Sequence, residues 1–235
     1  KKVEKSLSDS FDQANPINEF IQKKLLKDGV IKNEPISKDT SSWHSDTGQL
    51  LRKDITPITT LAMFGKTSSK KETPASVREK ADFAVTFWKN IHYIKNFGKN
   101  SSRSMTIAAQ PVVLKGIAKL AFDLGYGKQD KNEEHLIKLW EHIKSNKLDF
   151  SHNNDIWQAL FLDSSKRKKI HSDIDAYVHV PDGTNLDAGT YDEKNKWVRF
   201  GNKHNDIYPR IGDLIRYKLG FNPRASVKRS IEASK

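Results

Sequence analysis

The hydrophobic residues of this chain recur every three to four positions in a series of blocks, and each block is bounded by residues that start or stop helices. Asn15-Pro16 opens the first block, because Asn caps free amides and Pro tolerates the first helical turn. Ile17, Phe20, Ile21, Leu25 and Leu26 follow at helical spacing, and Gly29 is the natural stop. Residues 30–53 are polar and irregular, with Glu34-Pro35 and Asp46-Thr47-Gly48 as turn signals, and read as loop. Pro57 is expected to open a second helix carrying Ile58, Leu61 and Ala62 as far as Gly65. A Lys/Thr/Ser-rich connector runs from Lys66 to Pro74. Ser76 and Glu79 then have the spacing of a capping box. They head the strongest helical pattern, with Val77, Ala81, Ala84, Phe87, Trp88, Ile91 and Ile94 on one broad face.

The most apolar run, Arg103 to Lys128, contains Pro111, which lacks an amide and kinks or restarts a helix. Beyond it Val113, Leu114, Ile117, Leu120, Ala121 and Leu124 form a stripe stopped by Gly125, the pattern of a core helix. Asn132 caps another amphipathic helix through Leu136, Ile137, Leu139, Trp140 and Ile143, and Asp155 to Leu162 closes the helical body. After Asp163 the period changes. Ala176 to Val180 and Lys196 to Phe200 alternate like strands, and Pro181-Asp182-Gly183 is a strong turn between them. Helical spacing returns from Ile207 to Leu219, with Ile211, Leu214, Ile215 and Leu219 inward, Arg210, Arg216 and Lys218 toward solvent, and Gly220 and Pro223 as the end. The expected fold is mainly α: a helical bundle-like body over residues 1–162, then a basic, small mixed α/β segment over 163–235 with a two-stranded insertion and a terminal helix.

The chain's 235 residues can close a core in one large domain or two small ones. The sequence has no cysteine, which excludes disulfides, a thiolate zinc site and a cysteine nucleophile and fits a reducing cytoplasm. No run reaches the roughly 18 apolar residues of a membrane helix, since Gln110, Lys115, Lys119 and Asp123 interrupt the best candidate. The first residue is Lys1 and no signal pattern follows, so the chain reads as a piece of a longer protein in which any active site lies upstream. Its formal charge of +12 favours polyanionic partners, and eleven Lys or Arg against three acids lie between Lys194 and Lys235.

Few residues carry candidate chemistry. Gly125-Tyr126-Gly127-Lys128 follows a helix rather than a strand and lacks the Walker spacing, so it reads as a helix stop. His135 and His142 lie two helical turns apart, a poor metal geometry. His171, Asp173 and Asp175 would share one face of a strand and could then meet a divalent cation, while a polar turn is the default. Trp88, Trp140 and Trp157 sit at core spacing, whereas Trp43 and Trp197 are freer to meet a ligand. No catalytic constellation, resident metal or cofactor is expected. Nucleic-acid contact is placed on Lys166, Arg167, Lys168 and Lys169, with Arg210, Arg216 and Lys218 beside Tyr208 and Tyr217 as a second basic and aromatic group.

Several segments together carry a family resemblance: Lys1 to Phe11, Thr56 to Phe64, Phe87-Trp88, Val112 to Gly125, and Leu139-Trp140 with Asp149 to Trp157. Over residues 1 to about 160 their order resembles the region downstream of the signature motif in the DGQHR-domain family, the group containing the DNA sulfur modification protein DndB. The motif itself is absent, since Asp182-Gly183 is followed by Thr184, and no motif residue is carried over. The resemblance implies a ParB-like, motif-bearing portion upstream and a DNA-binding regulator of a DNA-modification system. The segment from Asp163 to Phe200 departs from the family pattern. The function expected is a non-catalytic DNA-binding or regulatory part of a bacterial or phage DNA-modification or defence protein. The alternatives are a helical accessory domain of a nuclease or other DNA-processing enzyme, and a protein-interaction scaffold. DNA is the expected partner, a membrane is not, and protein partners and oligomeric state stay open.

Overall fold

The computed structural model describes residues 15–31, 50, 52–68, 71–99, 102–178 and 188–228. Trp43, the turns at Glu34-Pro35 and Pro181-Asp182-Gly183, and the segment Lys1 to Phe11 lie outside them. Helix α1 (Pro16–Phe20) begins where the capping pattern puts it, with the Asn15 side chain accepting from the Ile17 amide at 3.0 Å, and continues into a π-helical stretch, Ile21–Leu26. Helix α2 (Arg52–Phe64) starts before Pro57, which corrects the expected start. Pro57 sits in the second turn, where its missing amide removes one hydrogen bond close to the helix start. Thr56 Oγ1 donates to Asn18 Oδ1 at 2.8 Å and fastens α2 to α1.

The helix expected from Ser76 is two helices, α3 (Pro74–Glu79) and α4 (Ala81–Ile91), hinged at Lys80. The cap of α3 is Thr73 rather than Ser76. Thr73 Oγ1 accepts from the Ser76 amide at 3.2 Å and Ser76 Oγ accepts from the Thr73 amide at 3.0 Å, so a serine closes the box that Glu79 was expected to close. A short helix α5 (Ser102–Met105) and a 3-10 turn (Ile107–Ala109) precede α6 (Pro111–Tyr126). Pro111 restarts the helix at its first position, as the sequence implies, and α6 runs through Gly125 before the Gly127 amide closes on Asp123 O at 2.9 Å. Helix α7 (Glu133–Lys144) takes its cap from Asn132, whose side chain accepts from the His135 amide at 2.9 Å.

A 3-10 segment (Asp155–Phe161) leads to helix α8 (Ser164–Ile170). Over its described residues, 176–178, the expected strand at Ala176–Val180 is not formed. Ile174–Ala176 is a 3-10 turn, and the amides of Tyr177 and Val178 both return to Ile174 O at 2.9 Å. Among the described residues the first strand is β1 (Gly189–Asp192), which pairs antiparallel with β2 (Trp197–Phe200), Gly189 opposite Phe200 and Asp192 opposite Trp197. Asp192 Oδ1 organises the turn by accepting from the Lys194 and Asn195 amides at 3.0 and 3.1 Å, and Lys196 supplies the positive φ. Helix α9 (His204–Leu219) ends on Gly220 in the left-handed conformation.

Helix α6 is apolar around most of its circumference and forms the axis of the molecule, against which α2 and α9 pack most extensively. One cluster of buried side chains runs from Ile17 to Phe221 and crosses residue 162: Leu61, Phe87, Trp88, Leu114 and Trp157 share it with Val198, Ile211, Leu214 and Ile215. Trp88 and Trp157 are core residues, as their spacing implies, with Nε1 donating to Thr59 Oγ1 and to Asp149 O, each at 3.1 Å. Trp197 is not free, since its ring stacks on His152 at 5.6 Å between centroids. Two side chains dock the hairpin. Gln110 donates to Val198 O and accepts from the Phe200 amide, both at 2.9 Å. His152 accepts from the Val198 amide on Nδ1 at 3.1 Å and donates from Nε2 to Arg103 O at 2.8 Å, which fixes its neutral tautomer.

Candidate nucleic-acid interface

Asp163 caps helix α8, which carries four consecutive basic residues. The Asp163 carboxylate accepts from the Lys166 amide at 2.9 Å and from Ser165 Oγ at 2.7 Å, and these bonds hold its pKa below the ordinary carboxylate value. Lys166, Lys168 and Lys169 are exposed. Lys166 reaches Asp163 at 3.6 Å and Lys168 reaches Asp175 at 3.7 Å, both loose contacts on side chains that are 67% and 61% exposed.

Arg167 points the other way. Its side chain is 7% exposed, with Nε on Asp175 Oδ1 at 2.8 Å and Nη1 donating to Leu162 O at 2.8 Å and to Ala159 O at 3.5 Å. It therefore pins α8 to the preceding 3-10 segment, and at about 100° per residue its neighbours Lys166, Lys168 and Lys169 fall on the remaining sides of the helix, where all three are exposed. Asp175, one of the three residues of the candidate cation cluster, is spent on this bond. His171 faces Asp155 at 3.7 Å and packs edge-on against Tyr217, and no group of three His, Cys, Asp or Glu able to hold a metal occurs among the described residues.

The second basic group separates in the same manner. Lys218 is exposed, but Arg216 is 3% exposed and reaches Asp130 at 4.0 Å, and Arg210 is half-buried. The expectation that Arg210 and Arg216 face solvent is corrected. Their positions turn toward the interior because α9 lies across α6, a packing that also buries Asp213; that carboxylate takes both fork nitrogens of Arg224 at 2.5 and 2.6 Å. Burial pushes the Asp213 carboxyl up against the opposing pull of Arg224. Arg216 and Arg210 add positive charge to the same site. Tyr217 joins the two basic groups, meeting His171 at the end of α8 and Tyr177 edge-on, while Tyr177 OH donates to Phe221 O at 2.7 Å. The end of α8 thus lies beside the last turns of α9.

The sequence profile of a family described as "DndB: DNA-sulfur modification-associated" matches residues 1–181. The chain belongs to the DndB family. The match takes in α8 and its lysines and stops before the hairpin and α9, so Arg210, Arg216 and Lys218 lie beyond it. No curated protein and no solved structure matches the chain.

Two functional candidates escaped the sequence reading. Lys115 of α6 and His204 of α9 meet at 3.0 Å beside a pocket lined also by Asn202, Lys203, Asn205 and Asp206. Lys115 was legible only as a charge interrupting an apolar run, and nothing in the local pattern pairs it with a histidine 89 positions later.

Proposed function

We propose that this DndB-family chain contacts duplex DNA as a regulatory part of a bacterial or phage DNA sulfur modification system. Membership of the family supports the DNA-modification setting, and the net charge of +12 supports a polyanionic partner. The observation that carries the reading is the split within α8: Arg167 is spent on the core while Lys166, Lys168 and Lys169 are exposed on a helix it holds in place, whose end meets α9 through Tyr217. Such an array can neutralise phosphates without reading bases.

The test is fluorescence anisotropy of a labelled duplex at several salt concentrations, comparing the native chain with a variant in which Lys166, Lys168, Lys169 and Lys218 are changed to Glu. Each phosphate released should flatten the slope of log affinity against log salt by about 0.9, so up to three or four units are at stake. The melting temperature should change little, because exposed charges contribute little to stability. Equal affinity and equal slope for the two proteins would defeat the reading.

A further inference from the structure

The junction between α6 and the start of α9 holds a pocket of about 510 Å³, within the size range of small-molecule sites, lined by Lys115, Asn202, Lys203, His204, Asn205 and Asp206. Its chemistry is one-sided. A lysine ammonium has no acceptor, so Lys115 Nζ donates to His204 Nδ1 at 3.0 Å, which leaves His204 neutral with its remaining proton on Nε2. Two cations, an imidazole N–H and two amide side chains supply donors there, against a single lining carboxylate, Asp206.

Lys115 is partly withdrawn from water, and its hydrogen bond goes to a neutral ring rather than a carboxylate. Asp54 of α2 approaches and partly offsets the burial, which still lowers the Lys115 pKa. Burial and Lys115 together hold His204 at about 4. A strong acceptor carrying negative charge would complete both groups. We propose that this pocket binds a phosphate group carried by a mononucleotide or by a DNA strand. It stands apart from the lysines of α8 and does not depend on them.

Binding would be read on the His204 imidazole by NMR of the full chain, with the resonance identified by its loss in His204→Gln. The ligands are inorganic phosphate, deoxyadenosine monophosphate and a short duplex, each at ionic strength matched with chloride. Without ligand the imidazole should titrate near 4. A phosphate seated beside it should raise the midpoint by roughly one unit, since a nearby opposite charge favours the protonated form. A shift at lower concentration of mononucleotide than of duplex phosphate assigns the free nucleotide, and the reverse assigns the DNA backbone.

Lys115→Gln should abolish the shift. Should that variant fail to fold, Lys203→Gln, at an exposed position, should weaken the ligand several-fold. An unmoved midpoint with all three ligands, an equal shift from chloride alone, or unchanged affinity in Lys203→Gln would overturn the proposal. The variant with Glu at Lys166, Lys168, Lys169 and Lys218 should keep the His204 shift, so failure here and failure of the DNA reading are separable.

Discussion

Gly116 of α6 and Gly212 of α9 lie where the two helices cross, and the same substitution should have opposite effects at them. A Cβ on Gly116 would stand 2.8 Å from Ile211 Cγ2 and 2.9 Å from the Tyr208 carbonyl oxygen. The carbonyl belongs to backbone and cannot swing aside. Gly116→Ala should therefore destabilise by about 1–3 kcal/mol through overpacking. A Cβ on Gly212 meets nothing nearer than 3.5 Å, so Gly212→Ala should stabilise by about 0.5–1 kcal/mol through helix propensity alone. Urea unfolding of the two variants checks both signs, and equal effects would mean that the crossing is looser than these distances.

Helix α8 shows what an element can hide within a charge run. Its four basic residues are one type in the sequence, yet Arg167 serves the fold and its neighbours serve the surface. Arg167→Gln would leave Asp175 and two carbonyl oxygens short of a donor and should cost about 2–4 kcal/mol, whereas Lys168→Gln should fall within about 0.5 kcal/mol. Thermal melts of the two variants make the comparison.

The same contrast marks how far the sequence could be read. Helix positions were legible from local signals: Asn15, Pro111, Asn132 and Gly220 act where their chemistry places them. The cap of α3 was missed because Thr73 and Ser76 form the box without an acidic residue. The alternation misled at residues 176–178 because the amides of Tyr177 and Val178 return to Ile174 O, a local bonding choice that alternation does not register. The burial of Arg216 and the meeting of Lys115 with His204 depend on how α9 lies across α6, which no local pattern encodes.

At the scale of the molecule, neutral histidines tie separate segments together, and acid should loosen them. Burial lowers the His152 pKa, and burial with Lys115 holds His204 at about 4. Both therefore bind their protons less readily when folded than when unfolded, near 6.5. The contribution of His204 is fully present above about 6.5 and is lost as the pH falls toward 4, and that of His152 is lost in the same direction. After allowance for the partial exposure of His204, the loss should be about 1–3 kcal/mol. The midpoint of urea unfolding should drop over that window, and by less in His204→Asn; an identical drop in the variant would remove His204 from the account.

The hairpin's mooring also limits how this protein can assemble. A free strand edge invites a foreign strand, because its unpaired amides and carbonyls form a ready template for augmentation or runaway stacking. Along β2 that template is already occupied, by Gln110 at Val198 O and the Phe200 amide and by His152 at the Val198 amide. A recruited chain would have to evict two core-anchored side chains to zip onto β2, so strand addition on that side of the hairpin is blocked.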